Sequence, residues 1–109
     1  MKIAEYNFQT LDWSVIPREE HQGITGVAYW QTTHVHDVRV RMVEYSPGYK
    51  ADHWCTKGHI ILCTEGEMDT ELKDGRVLKL KKGHCYFVGD DSSEHRSSSR
   101  NGCKLFIVD

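Results

Sequence analysis

The stretch ADHWCTKGHIILCTEG, residues 51–66, places His53, Cys55 and His59 within seven positions. Imidazole nitrogen and thiolate sulfur are ligands that proteins offer to Zn and other borderline divalent metals. Side chains on a strand alternate between its two faces, so His53 and Cys55 are expected to point the same way. His59 shares their parity, and His95 is the candidate for a fourth ligand from a distant strand. The pattern therefore predicts a metal site made of His53, Cys55, His59 and His95.

The role of Cys55 leaves several chemistries open. Four ligands in a tetrahedron would close the site, as in structural zinc centres. If Cys55 stays off the metal, three imidazoles leave an open position, which suits a Lewis acid or an oxygen-binding iron. Cys55 could instead be a reactive thiol activated by His53 or His59. A further alternative keeps these residues as the polar lining of a pocket without a metal.

Other charged residues suggest weaker hypotheses. Arg39, Arg41 and Arg96 could orient a substrate carboxylate, because a guanidinium binds one in a bidentate pair. At least two of the three are expected on solvated strand faces. His34 and His36 form a second His-x-His pair, which is expected in a solvated loop.

Three aromatic residues and one carboxylate are further candidates for the site. Trp30, Trp54 and Tyr86 could line a pocket, although aromatic residues on strands usually serve a core or an interface. Asp52 could fix the tautomer of the His53 imidazole. Adjacent strand residues face opposite ways, so that contact would need a bend.

The elements that would position these residues read as short strands. Alternation is clearest at residues 37–45, where Val38 and Val40 fall on one face and Arg39 and Arg41 on the other. Gly66 is expected to end the strand that begins at His59, and residues 17–23 are the one candidate for a helical turn. Turns are expected at 46–49 and, as an Asp-Gly hairpin, at 73–76. The remaining predicted strands cover residues 24–33, 59–65, 67–72, 77–83, 84–89 and 103–109.

The spacing of these residues resembles the two motifs of the cupin superfamily. Gly48, the HWC string, His59 and Gly66 follow the spacing of the first motif, and residues 83–95 look like the second. The usual second His is Cys55 here, and the usual Glu is His59. The DHWCTKGH string is also similar to a small bacterial group of cupins named for an Asp-His-Cys-Trp motif, which has no assigned activity.

The resemblance implies an all-β fold, a single-domain double-stranded β-helix or jelly roll. Residues 1–109 would form one domain, with an N-terminal arm and strands at 1–35 and the barrel at 38–109. It also implies a homodimer with a metal site inside the barrel. A thiolate in place of a carboxylate favours Zn or Fe(II), with Cu or Ni as further candidates.

Composition limits the other function classes. The net charge of −2 and the lack of a basic stripe argue against nucleic acid as a partner. No apolar run is long enough for a membrane span, and the N-terminal residues lack a signal-peptide pattern. The four cysteines form neither a CxxC pair nor the dense framework of small secreted domains. Without a signal peptide the compartment is expected to be reducing, so the thiols are expected to be free. A cytoplasmic location is expected.

Two functions are compatible with this pattern. One is a metal-dependent enzyme acting on a small molecule, of the dioxygenase, isomerase or lyase type. The other is a non-catalytic ligand-binding or sensor module, whose metal is structural or absent. The sequence names no catalytic residue and no substrate.

Overall fold

The computed structural model describes residues 3–109, and the chain is built almost entirely from antiparallel strands. A short 3-10 helix at Trp13–Val15 precedes them. The strands are β1 (Glu19–Gln22), β2 (Val27–Val35), β3 (Val38–Tyr45), β4 (Tyr49–Lys50), β5 (His59–Leu72), β6 (Val77–Lys81), β7 (Cys85–Val88), β8 (His95–Ser99) and β9 (Cys103–Val108).

The long strand β5 joins two faces of a curled sheet. Strand order runs β1-β2-β3-β9-β5-β8-β4, and β6 and β7 also pair with β5. The first half of β5 pairs with β7 and β9, and its second half pairs with β6 and β8. One strand thus serves both sheets, and the expectation of an all-β jelly-roll barrel is confirmed.

The barrel encloses a small apolar core. Met68, Cys63 and Leu105 are its most buried large side chains, at 1%, 0% and 0% exposure. They come from β5 and β9, two strands that pair with each other in the middle of the strand order. Polar residues are buried beside this core as well, among them Arg41, His59 and His95.

Two local predictions are wrong. Gly66 does not end the strand: β5 continues through it, with a bulge between Cys63 and Glu65 and a φ of 71° at Gly66. Bulges bend and twist a strand, and glycine adopts positive φ at little cost, so the pair turns β5 from one sheet into the other. Residues 17–23 do not form a helical turn, because Glu19–Gln22 pairs with β2 as a strand.

The turns follow their sequence signals. Tyr49 N donates to the Ser46 carbonyl at 3.1 Å, which closes the turn at 46–49. Gly75 N donates to the Leu72 carbonyl at 3.0 Å, with a φ of 97° at Gly75, which closes the hairpin between β5 and β6. No helix among residues 3–109 is long and apolar enough to cross a bilayer.

Candidate metal centre

Three of the four predicted ligands lie close together in the fold. The ligand atoms of Cys55, His59 and His95 all lie within 4.8 Å of one another. His59 begins β5 and His95 begins β8. Cys55 forms an isolated antiparallel bridge with His95, with reciprocal backbone hydrogen bonds of 2.8 and 3.1 Å. The bridge therefore brings the thiol beside the imidazole, although 40 residues separate the two in sequence.

The tautomer of His59 is set by a carboxylate. Its Nδ1 lies 2.8 Å from Asp109 Oδ2, and an ionised carboxylate can only accept, so Nδ1 carries the proton. The other nitrogen, Nε2, lies 3.3 Å from Cys55 Sγ. This pattern of a carboxylate behind an imidazole is the common arrangement around metal-binding histidines.

The tautomer of His95 is set in the same manner by a carbonyl. Its Nδ1 donates to the Ser93 carbonyl oxygen at 2.8 Å, so Nε2 bears the free lone pair. Nε2 is buried without a partner among residues 3–109. Burial lowers the pKa of His95, and the neighbouring His59 lowers it further. His95 is therefore held in the neutral form, which is the form that binds metals.

Asp109 anchors the site from behind. Its side chain has 0% exposure and accepts from Arg39 Nε at 2.8 Å, Arg39 Nη2 at 3.0 Å and Arg41 Nη2 at 2.8 Å. Burial alone would raise the pKa of Asp109, but the hydrogen bonds from His59 and Arg39 and the charge of Arg41 hold it well below its usual range. Asp109 is thus a permanent anion.

His53 stands apart from the other three. Its side chain is 72% exposed, and its Nδ1 lies 2.7 Å from Asp52 Oδ1. The chain bends at residues 52–53, which permits this contact between neighbours as anticipated. The shared parity of His53 and Cys55 does not bring His53 to the group, because the bend replaces the strand on which parity depends.

The site borders two hollows. A hollow of about 130 Å³, hereafter the inner cavity, is lined by the three grouped residues together with His53, Trp30, Arg39, Arg41, Arg96 and apolar side chains of β3, β5 and β9. A wider cleft of about 630 Å³ opens between β6 and β7. His95 and Tyr86 border both, so the cleft leads towards the candidate centre.

The expectation of solvated arginines is wrong for Arg41, which is 4% exposed. Arg39 is also partly buried, with a side-chain exposure of 25%. Both face inward because they share the parity of Val43, which lies in the core, and because Asp109 compensates charge there. Arg96 also borders the inner cavity and donates to Glu71 Oε2 at 2.9 Å.

Of the other candidates, two line the inner cavity and three do not. Trp30 and Tyr86 line the inner cavity. The Arg96 guanidinium stacks on Trp54, with 4.5 Å between Arg96 Cζ and the centre of the Trp54 ring. Trp54 is not part of the lining of the inner cavity. His34 lies within β2 and is exposed, and His36 in the following turn contacts the Glu5 carbonyl at 2.8 Å.

Sequence reasoning missed Asp109, although a signal for it exists. Positions 103, 105 and 107 of β9 are buried, and 109 continues that alternation. A carboxylate at an inward position, after three buried residues, indicates a partner inside the barrel.

The donor set fits a divalent metal ion. Cys55 supplies a sulfur, and His59 and His95 each direct Nε2 to the group from a ring whose Nδ1 is held by a hydrogen bond. The orphaned Nε2 of His95 is the most direct sign, because a buried lone pair without a donor is costly unless a ligand satisfies it.

Solved structures of similar shape include proteins described as cupins. The chain resembles a predicted oxalate decarboxylase from Thermotoga maritima, with a TM-score of 0.77, 15% identity, and coverage of 92% of this chain and 96% of that one. It also resembles ectoine synthase from P. lautus, with a TM-score of 0.75, 13% identity, and coverage of 93% and 76%. A protein from Neisseria meningitidis shares 25% identity over 73% of this chain and 79% of that one, with a TM-score of 0.60.

The shared fold defines the class: this chain has the cupin fold. Its candidate site borders the inner cavity. No protein-family model matches the sequence. No curated protein matches it either. The likeness is therefore one of fold, and the function has to be argued from the site.

Proposed function

We propose that the protein binds one divalent metal ion through Cys55, His59 and His95 and acts as a metal-dependent enzyme on a small molecule. The observation that carries this proposal is the convergence of three ligand atoms within 4.8 Å, two of them on imidazoles of fixed tautomer. The proposed metal is Zn or Fe(II), because the set joins one thiolate to two imidazoles.

The coordination number favours catalysis over a structural role. Structural zinc sites usually take four protein ligands, whereas catalytic sites take three and leave a position for substrate or water. Because the His53 ring is 72% exposed and lies outside the ligand group, three protein ligands remain next to the inner cavity. A metal bound there would supply Lewis acidity to a substrate oxygen.

The chain's own residues would do the positioning. Asp109 holds the His59 ring, and the Ser93 carbonyl holds the His95 ring. Tyr86 borders the cavity with its hydroxyl buried and unpartnered among residues 3–109, so it is a candidate for contact with a bound molecule. Burial, with Cys55 nearby, raises the pKa of Tyr86, so the hydroxyl keeps its proton and can donate.

Fold relatives support an enzyme in general terms only. They include a sugar phosphate isomerase from Silicibacter pomeroyi, together with the predicted oxalate decarboxylase and the ectoine synthase described above. Their activities differ, so the isomerase, lyase or dioxygenase type stays a prediction for this chain. The expectations of a homodimer, of bacterial origin and of a cytoplasmic location also stay predictions, as does the narrower likeness to the Asp-His-Cys-Trp group.

Elemental analysis of untagged protein tests the proposal. We expect about one metal per chain after reconstitution with Zn or Fe(II), lost in His95→Ala. With Co(II), the wild type should show a thiolate-to-metal charge-transfer band that Cys55→Ser removes. The matched controls are Cys85→Ser, at an exposed thiol, and His34→Ala, at an exposed imidazole; both should leave metal content unchanged. A wild type that takes up no Zn, Fe(II) or Co(II) contradicts the proposal.

A thiol enzyme is the second candidate, and one contact favours it. Cys55 Sγ, His59 and Asp109 form a hydrogen-bonded chain, with distances of 3.3 and 2.8 Å, of the kind that joins a nucleophile, a base and an orienting group. It leaves the orphaned Nε2 of His95 unexplained, which is why we favour the metal. Alkylation with iodoacetamide separates the two, using the exposed Cys85 as the internal reference. Cys55 that reacts faster than Cys85 in protein that binds no metal would support the thiol enzyme.

A further inference from the structure

Two guanidinium groups in the lining of the inner cavity share one side-chain carboxylate. Arg39 and Arg41 both donate to the side chain of Asp109, so these three side chains together carry a charge of +1. Arg96, the third guanidinium in the lining, already has Glu71 as its partner and adds no excess. Buried charge is costly unless it is compensated, so the cavity is suited to an anion.

The hydrogen-bonding capacity of Arg41 points the same way. Only its Nη2 has an acceptor, Asp109, among the residues that the structure describes. The residue is only 4% exposed, and its Nε is buried without a hydrogen-bond partner among residues 3–109. The Trp30 ring centre lies 4.3 Å from its Cζ, and this stacking fixes the plane of the guanidinium. A rigid guanidinium with spare donors matches a planar carboxylate better than a spherical ion.

The volume limits the size of the occupant. About 130 Å³ is the space of roughly four water molecules at ~30 Å³ each. The lining also includes Ile61 and Tyr86, which would contact carbon atoms rather than a second charge. A bulky or cationic molecule does not fit this description.

We infer that the inner cavity binds the carboxylate of a compact organic acid, with Arg41 as its main contact and Arg39 beside it. This inference rests on the proposed function in one respect only, namely that the acid is the substrate of the metal centre. Binding of the acid itself is independent of the metal, because both arginines belong to β3 rather than to the ligand set. The hydrogen bonds from these arginines to Asp109 use only part of their donors.

Isothermal titration calorimetry tests the inference on metal-free and on Zn-loaded protein, in a buffer without carboxylates. The probes are acetate and pyruvate, with acetamide as the neutral analogue of acetate and sulfate as a tetrahedral anion. We expect both carboxylates to bind and acetamide not to bind. Arg41→Lys should weaken acetate binding about 10- to 100-fold, because a charge-assisted hydrogen bond is lost. Arg18→Lys is the control, since Arg18 is an exposed arginine paired with Glu44 outside the cavity.

Each outcome separates this inference from the proposed function. Acetate binding to metal-free protein supports the inference even if no metal is ever taken up. Metal uptake without a preference for acetate over acetamide overturns it and leaves the metal centre intact. Equal binding of sulfate and acetate overturns the carboxylate class. The comparison of acetate with acetamide uses wild-type protein, so it decides the matter even if Arg41→Lys does not fold.

Discussion

Replacing Asp109 with Asn tests the idea that this carboxylate organises the site. Asn keeps the shape of Asp and the backbone pairing with Arg39, in which Asp109 N donates to the Arg39 carbonyl at 2.9 Å. It removes the negative charge and presents an amide group to a surrounding of donors: His59 Nδ1, two nitrogens of Arg39 and one of Arg41.

The expected loss is large because the side chain is fully buried. Removing one partner of a buried, hydrogen-bonded ion pair costs about 3–5 kcal/mol of folding free energy. Partners behind a metal-binding imidazole are worth roughly 10- to 100-fold in metal affinity. Both effects should appear together in Asp109→Asn, since the same carboxylate oxygen, Oδ2, accepts from His59 and from Arg41.

Urea unfolding followed by tryptophan fluorescence gives the stability, and competition with a chromophoric chelator gives the Zn affinity. Asp74→Asn is the matched control, because Asp74 is an exposed carboxylate paired with Arg76 at 2.9 Å. The control should leave both quantities unchanged. If Asp109→Asn unfolds at the wild-type urea concentration and keeps wild-type Zn affinity, the reasoning about this carboxylate is refuted.

Three further substitutions test the ligand set and the fold. His53→Ala should keep one metal per chain by elemental analysis, because the ring is 72% exposed and outside the ligand group; loss of the metal would restore His53 as a ligand. Gly66→Ala should lower the urea midpoint more than Gly75→Ala. Both glycines have a positive φ, which costs any other residue about 1–3 kcal/mol. Only at Gly66 would an added Cβ also clash with backbone, at the Gly102 carbonyl oxygen. Met68→Ala should cost about 2–5 kcal/mol in the same assay, since Met68 is 1% exposed in the core; a cost below 1 kcal/mol would contradict that placement.

Period-two alternation was a sound guide to the strands and a partial one to their faces. It identified β3 and separated Val38 and Val40 from Arg39 and Arg41. It did not show that the arginine side faces inward, because charge usually marks the solvent face. The reason they are tolerated inside is Asp109, which lies 70 and 68 positions away in sequence.

The candidate site shows the same limit. Local spacing indicated Cys55 and His59, and His95 was the candidate from a distant strand, in agreement with the second cupin motif. His53 was grouped with them by strand parity, which fails where Cys55 has only a single bridge and the chain bends just before it. A site formed by pairing between distant segments follows from topology, and single-sequence patterns hold little information on topology.

Anomalous diffraction from crystals of the Zn-loaded protein, collected on both sides of the metal edge, tests the central claim most directly. We predict one strong peak between Cys55 Sγ, His59 Nε2 and His95 Nε2, with His53 outside bonding distance and a position open towards the inner cavity. A peak elsewhere, for example at His34 and His36, would contradict the account. So would the absence of any peak in protein that holds one Zn per chain by elemental analysis.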